Sequence, residues 1–170
     1  MGVAHQLARL TAQSPPFQPM PAGGVPEVTK EMVALAAASL DDDLAYHLVM
    51  GRHTDSIASK SQSLPLIEQE SKRIWMRANR GQIRKVDSFD RLTVLSHATY
   101  FANPEGSAQG ESKKAQRKAL TAAERARFCD LSEASWHARW GQQFADLMRC
   151  MDSREGDLMR WIAKNIWRME

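Results

Sequence analysis

The chain has few of the residues on which metal centres and enzyme active sites usually depend. Only two cysteines occur among its 170 residues, Cys129 and Cys150, and neither has a neighbour at the spacing of a zinc ligand. The five histidines are scattered, and none stands in a recognisable arrangement with a carboxylate and a nucleophile. No glycine-rich phosphate loop follows a predicted strand. We therefore expect no catalytic residues, no metal, no cofactor and no small-molecule substrate.

Long apolar runs are also missing. No stretch approaches the roughly 18 uninterrupted apolar residues that a membrane-spanning helix needs, and the first residues hold no continuous apolar region of the signal-peptide kind. Both cysteines lie among apolar residues of expected helices, which is typical of buried, reduced thiols. These absences predict a protein of the cytoplasm with no membrane partner.

Positive charge is concentrated in the later part of the chain. Residues 1–70 carry four basic and eight acidic side chains, whereas 71–170 carry 19 basic and 12 acidic ones. This asymmetry indicates that the later part meets a polyanion, because each neutralised phosphate releases counterions and adds affinity that does not depend on sequence. A solubilising surface is the alternative explanation.

Helical periodicity dominates the sequence, and no segment alternates convincingly as a strand does. We therefore predict an all-α fold, a helical body with a C-terminal helix-turn-helix. The expected divisions are an extended proline-rich arm over 1–28, the helical body over 29–102, a flexible basic linker over 103–119 and the helix-turn-helix region with a terminal helix over 120–170.

Capping signals set the expected helix ends. Pro65 and Gly81 stand in the order of an N-terminal proline and a C-terminal glycine, which predicts a helix between them after a polar loop over 52–63. Asp152 and Glu155 have the spacing of a capping box, which predicts a separate terminal helix.

The segment 120–151 has the pattern of two helices joined by a tight polar turn. Thr121 and Glu124 form a capping box for the first helix, and Ser132 is placed to cap the second. Asp130 stands in the turn where such motifs often have glycine, and Asp tolerates a positive φ better than most residues. The second helix has one apolar stripe, formed by Trp136, Trp140, Phe144, Leu147 and Met151. The pattern is typical of a DNA-reading helix-turn-helix, and a plain αα-hairpin shares it.

Five stretches of the sequence resemble, in the same order, parts of the lambda-type Q proteins, which are phage late-gene antitermination factors. The DNA-reading part of that family is similar to LSEASWHARWGQQFADLMRC, and its central helix resembles FDRLTVLSHATYFANPEGSA. Its proline-rich start and first helices resemble SPPFQPMPAGG, TKEMVALAAA and LAYHLVMGRH. The resemblance implies a protein that binds a late-promoter DNA site, loads onto paused host RNA polymerase and suppresses pausing and termination. The family's cysteine-rich zinc insertion is replaced here by QGESKKAQRK, so no zinc is implied.

Joined to the residue pattern, the resemblance assigns roles to the basic and polar residues. We expect the start of the second helix to read bases, and we expect Arg139 to make a bidentate guanine contact. The base-reading residues are Ser132, Glu133, Ser135, His137, Arg139 and Gln142. Phosphate contacts are expected from Lys113, Lys114, Arg117, Lys118, Arg125 and Arg127. A second basic surface, for nucleic acid or polymerase, is expected on one helical face at Lys72, Arg73, Arg77, Arg80 and Arg84.

Two other classes of protein stay open. A phage DNA-packaging adaptor of the small-terminase type also joins a helix-turn-helix to a helical body, but it forms a ring, so its size in solution would distinguish it. The segment RGQIRKV followed by an aromatic-rich helix is similar to the all-α small subunits of CRISPR effectors. Such a subunit predicts equal affinity for all sequences, whereas an antitermination factor prefers one duplex.

Overall fold

A computed structural model describes residues 28–79, 83–102 and 120–165 of the chain. These residues form helices and no strand, so the all-α prediction is confirmed for them. None of their helices is long and apolar enough to cross a membrane. The helices are α1 (Lys30–Leu40), α2 (Asp43–His53), α3 (Ile57–Asn79), α4 (Val86–Ala102), α5 (Ala122–Phe128), α6 (Glu133–Ser135) and α7 (Gly141–Asn165), with a π-helical turn (Trp136–Trp140) joining α6 to α7.

Side-chain caps define where α1 and α2 begin. The Thr29 hydroxyl accepts a hydrogen bond from the Met32 amide, and the Asp42 carboxylate accepts one from the Ala45 amide. Asp41 ends α1 in the left-handed region with φ 52°. Polar side chains thus satisfy amides that have no partner inside a helix, and a single residue turns the chain from α1 into α2.

The expected start of α3 at Pro65 is wrong. The helix begins at Ile57, eight residues earlier, after Ser56 accepts a hydrogen bond on its hydroxyl from the Ser59 amide. Pro65 lies inside the helix, and most of the expected loop over 52–63 is helical. A proline within a helix removes one backbone hydrogen bond. A proline at the first helical position and a proline inside a helix give the same sequence pattern, so the pattern at Pro65 does not distinguish the two.

The expected break before a terminal helix is also wrong. Helix α7 runs from Gly141 to Asn165 without interruption, so Asp152 and Glu155 are not helix caps. The Glu155 carboxylate instead binds side chains from the end of α2, at 2.7 Å from Arg52 Nη1 and 2.5 Å from His53 Nε2. Glu155 therefore makes a tertiary contact, whereas the local pattern predicted that it would cap a helix.

The chain divides into two compact units, one made of Met1–Ser61 with Asp152–Glu170 and the other of Gln62–Met151. The core of the first unit combines small residues of α1 and α2 with larger ones from the end of α7, namely Val28, Val33, Ala36, Ala37, Ala45, Val49, Met50, Leu158 and Ile162. The small side chains allow close helix packing. The predicted division at the arm and the linker stays a prediction, since 1–27 and 103–119 lie outside the described residues.

The core of the second unit is centred on Trp75 of α3. Its ring centroid lies 4.8 Å from that of Trp140 and 6.0 Å from that of Phe89 in α4. Gln143 is 3% exposed, and its amide donates to the Ser71 carbonyl at 2.8 Å, which satisfies a polar group inside this core. The apolar stripe expected on the second helix is confirmed, since the buried residues include Trp136, Trp140, Phe144, Leu147 and Met151.

Candidate nucleic-acid interface

A short helix and a tight turn precede the candidate interface. Thr121 caps α5 and forms the expected capping box with Glu124, whose carboxylate accepts from the Thr121 amide at 2.7 Å. After α5 the Leu131 amide donates to the Ala126 carbonyl at 2.9 Å, and the Asp130 amide donates to the Arg127 carbonyl at 3.1 Å. This pair of hydrogen bonds is a Schellman motif with Asp130 in its left-handed position. The turn is therefore closed by backbone bonds and fixes the direction of the chain into the next helix.

The second helix of the predicted pair consists of α6, the π-helical turn and α7, and it begins at the expected residue. The Ser132 hydroxyl accepts from the Ser135 amide at 3.1 Å and donates to the Ser135 hydroxyl at 2.9 Å. Glu133 follows in the first turn, where a negative charge is favourable because the helix N-terminus carries partial positive charge. Of the predicted base-reading residues, Ser132 thus caps the helix and binds Ser135.

A π-helical turn occupies the middle of this region, over Trp136–Trp140. The Gly141 amide donates to the Trp136 carbonyl, five residues back instead of four. Both tryptophans remain buried, at 4% and 6% exposure. Single π-helical turns inside α-helices occur frequently at functional sites. No pattern in the sequence indicates this turn, because its apolar spacing is that of an ordinary helix.

The opposite side of the second helix is polar and open to solvent. Ser132, Glu133, His137, Arg139 and Gln142 are all exposed, as the sequence predicts, and Ser135 is half-buried. His137 Nε2 lies 3.7 Å from a Glu133 carboxylate oxygen, and the Gln142 amide donates to Asp146 at 2.9 Å. Exposed alanines stand among these residues at 134 and 138. Their small side chains leave room for a large partner to approach the backbone.

Arg139 is placed by a contact with α3. Its guanidinium carbon lies 5.8 Å from the centre of the Trp75 ring, within the range of a cation–π interaction. Arg139 makes no ion pair with any residue in the described ranges. The side chain is therefore positioned by an aromatic neighbour while its charge stays available to an anion or a base edge.

Of the six residues predicted to contact phosphate, two lie in the described part of the chain and four lie outside it. Arg127 is exposed, and Arg125 is half-buried with its guanidinium carbon 4.6 Å from the centre of the Phe144 ring. Arg91 of α4 was missed by the sequence analysis, and it reaches the end of α5, where Nη1 lies 3.5 Å from the Phe128 carbonyl. Four predicted contacts lie outside the described residues, namely Lys113, Lys114, Arg117 and Lys118.

The predicted second basic surface is not a single helical face. Lys72 and Arg73 are exposed neighbours on α3, and successive residues of an α-helix point about 100° apart. Each pairs with an acid one turn earlier, Lys72 with Glu68 and Arg73 with Glu70. Arg84 lies after the end of α3, so the expected common face does not extend to it.

Arg77 and Arg80 are the other two residues of the predicted surface, and the structure describes only Arg77. Arg77 is exposed on α3 and makes no ion pair with a described residue. Arg80 lies outside the described ranges. Among the described residues of α3, Arg77 is therefore the member of the predicted surface that makes no ion pair. Arg84 and Lys85 are exposed in the segment that follows.

The Cys129 thiol is not a reactive group of this region. Cys129 is fully buried, and burial raises the pKa of its thiol to about 11, against a smaller opposing influence of Arg91. The thiol is therefore protonated at neutral pH and is a poor nucleophile. Within 28–79, 83–102 and 120–165, no three His, Cys, Asp or Glu side chains are grouped so that they could hold a metal ion.

Comparison with protein-family models, with curated proteins and with solved structures gives no match to this chain. The similarity to the Q proteins therefore stays a prediction from the sequence. The second helix has one face buried through its indoles and one face open with polar residues, and this arrangement is the main basis for a functional assignment.

Proposed function

We propose that the chain binds duplex DNA through a helix-turn-helix made of α5, the turn at 129–132 and the start of the second helix. The observation that supports this proposal is the two-sided second helix. Trp136 and Trp140 are buried on one side, while His137, Arg139 and Gln142 are exposed. A major groove admits one α-helix, and its base edges are read by side chains of this kind.

The exposed residues suit such a docking in three ways. The helix N-terminus presents partial positive charge to the phosphates. The alanines at 134 and 138 let the helix backbone come close to the groove. Arg139 can bind guanine O6 and N7 together, and Arg127 of α5 is exposed for a phosphate.

We further propose that DNA binding serves late-gene antitermination on host RNA polymerase. This part of the proposal rests on the collinear resemblance to the Q proteins. The zinc-binding insertion of that family is absent from the sequence, so the polymerase contact would fall to basic residues. Arg77 is one candidate, because it is exposed and makes no ion pair with a described residue.

Selection from a pool of random duplexes, followed by anisotropy titrations, tests the DNA part. We expect one preferred duplex, and we expect Arg139→Ala to lose about 1 to 3 kcal/mol of discrimination against random DNA. Arg149→Ala is the matched control, because Arg149 is exposed on the same helix ten residues later and pairs with Asp146. Equal losses for the two variants, or equal affinity for all duplexes, would contradict sequence reading and favour a binder without sequence preference.

Transcription with purified bacterial RNA polymerase tests the antitermination part. The template carries the selected duplex upstream of a pause site and a terminator. We expect the chain to raise read-through on this template and to leave a template with a scrambled site unchanged. Specific DNA binding without any gain in read-through would reject antitermination and leave the helix-turn-helix assignment in place. A ring-shaped oligomer in solution would instead favour the packaging adaptor.

A further inference from the structure

Helices α3 and α4 pack side by side in the second unit and run in opposite directions. The Trp75 ring of α3 contacts the Phe89 ring of α4, with 6.0 Å between their centroids. Glu68 raises the pKa of the Lys72 ammonium on α3, and Asp90 of α4 adds a smaller effect in the same direction, so Lys72 lies near Asp90. The later residue of α3 thus meets the earlier residue of α4.

This packing brings two exposed apolar residues to the same level on the surface. Met76 follows Lys72 by one helical turn, and Val86 precedes Asp90 by one turn, so the two residues are neighbours across the helices. Met76 is 51% exposed and Val86 is 56% exposed. A single exposed apolar residue is ordinary, but neighbours on two packed helices form a common apolar surface.

Positive charge without a partner surrounds this apolar pair. Arg77 follows Met76 on α3, and Arg84 and Lys85 directly precede Val86. All three are exposed, and none makes an ion pair with a described residue. Asp87 is the exposed acid beside them, so three cations stand against one carboxylate. The surface therefore favours an anionic partner.

We propose that this α3–α4 surface, formed by Met76, Arg77, Arg84, Lys85 and Val86, binds an acidic protein segment that packs one large apolar side chain against Met76 and Val86. Methionine and arginine are enriched at protein interfaces, and a methionine side chain adapts to the shape of its partner. The apolar pair favours a protein over a nucleic acid, because a phosphate backbone has no use for it. The proposal extends the proposed polymerase contact at Arg77 and rests on that function only for the identity of the partner.

Selection from a library of random peptides with the full chain as bait, followed by anisotropy titrations, tests the surface. We expect the enriched peptides to be acidic and to carry a large apolar residue. Their affinity should weaken about tenfold in Arg77→Gln, because a charge-assisted contact is lost, and about tenfold in Met76→Gln, because the apolar contact is lost.

Leu35→Gln and Lys30→Gln are the matched controls. Leu35 is 54% exposed on α1, nearly as much as Met76, and Lys30 is exposed on the same helix without an ion pair to a described residue. Both variants should bind the peptides as the unchanged protein does. Met76→Gln and Leu35→Gln should keep the thermal midpoint of the unchanged protein, since both side chains are exposed, and this separates lost binding from lost folding.

Three results would overturn the proposal. They are no enriched peptide, enriched peptides without acidic residues, and binding that stays unchanged in both Arg77→Gln and Met76→Gln. Random duplex DNA whose affinity falls in Arg77→Gln but not in Met76→Gln, together with no peptide binding, would assign the surface to nucleic acid. Peptide binding with normal read-through in Met76→Gln would support the surface and reject polymerase as its partner.

Discussion

The indole of Trp136 lies against the backbone of Gly141 on the next turn of the same helix. A Cβ atom at position 141 would be 3.0 Å from the indole Nε1 and 3.2 Å from the Trp136 carbonyl oxygen. Most Cβ atoms stay farther from their neighbours than this, so a side chain at position 141 would push against the buried indole. The π-helical turn and this glycine together allow Trp136 to pack inside the second unit.

Replacing Gly141 should therefore destabilise the fold. Alanine normally improves an interior helical position by about 0.5 to 1 kcal/mol over glycine. At position 141 we expect the opposite sign, a loss of about 1 to 3 kcal/mol, because the added methyl displaces Trp136. Gly156→Ala is the control in the same helix, since its Cβ would come no closer than 3.4 Å to Arg160. Urea unfolding of both variants measures the difference, and equal gains would contradict this packing.

Asp130 offers a stabilising substitution. Its φ is 55°, in the left-handed region that glycine adopts without a steric penalty. We expect Asp130→Gly to raise the free energy of unfolding by about 0.5 to 1 kcal/mol, and Asp130→Val to lower it by about 1 to 2 kcal/mol. Ala145→Gly, at an exposed position of α7, should be destabilising. A loss of stability in Asp130→Gly similar to that in Ala145→Gly would show that the turn does not need a left-handed residue.

Glu155 holds the end of α2 against α7 within the first unit. The side chains of Arg52, His53 and Glu155 are only 6%, 9% and 13% exposed. Glu155→Ala removes the 2.7 Å carboxylate contact of the buried Arg52 guanidinium. We expect it to cost about 3 kcal/mol of unfolding free energy, the lower end of the range for breaking a buried pair, because Asp152 stays 3.6 Å from Arg52. Asp152→Ala should cost less than about 1 kcal/mol, because Asp152 is 58% exposed and 3.6 Å from Arg52. Similar thermal midpoints for the two variants would contradict this difference.

His47 should make the fold sensitive to mild acid. Burial lowers the pKa of its imidazole below the ordinary value of 6.5, against a smaller opposing effect of Asp43. A lowered pKa in the folded state means that the unfolded state binds the proton more tightly. The stability is therefore complete above about pH 6.5 and falls as the pH drops through the lower folded value.

Urea unfolding of the unchanged protein and of His47→Leu at several pH values measures this contribution. The difference in unfolding free energy between the two proteins should change between about pH 7.5 and pH 5.5, with the unchanged protein losing stability relative to the variant. A difference that stays constant over this range would show that His47 keeps its proton affinity on folding.

Local signals in the sequence predicted the local parts of this structure. The caps at Thr121 and Ser132 each need only a side chain and an amide three residues away, so their patterns could be recognised without the fold. The same reasoning failed at Pro65 and Asp152, where helices continue through signals that usually mark their ends. Packing of helix faces decided those positions, and packing is not visible in a capping pattern.

The candidate interface was predictable to a similar extent. Exposure of His137, Arg139 and Gln142 followed from the apolar stripe on the other side of the helix. The contact of Arg91 with the end of α5 joins residues 37 positions apart, and no periodicity within one helix could indicate it. The π-helical turn was not predictable either, because it leaves the apolar spacing of the sequence unchanged.

The position of Arg139 beside Trp75 has a consequence for selectivity. A free arginine side chain has about 2 kcal/mol of rotamer entropy to lose when it is fixed. The Trp75 ring already limits the conformations of Arg139, so in the proposed DNA complex less entropy would be lost when the guanidinium binds a base. In that proposed complex a mismatched base pair would gain little from side-chain adaptation, because the guanidinium is held beside the Trp75 ring. The observed consequence is that a buried indole restricts the conformations of an exposed arginine.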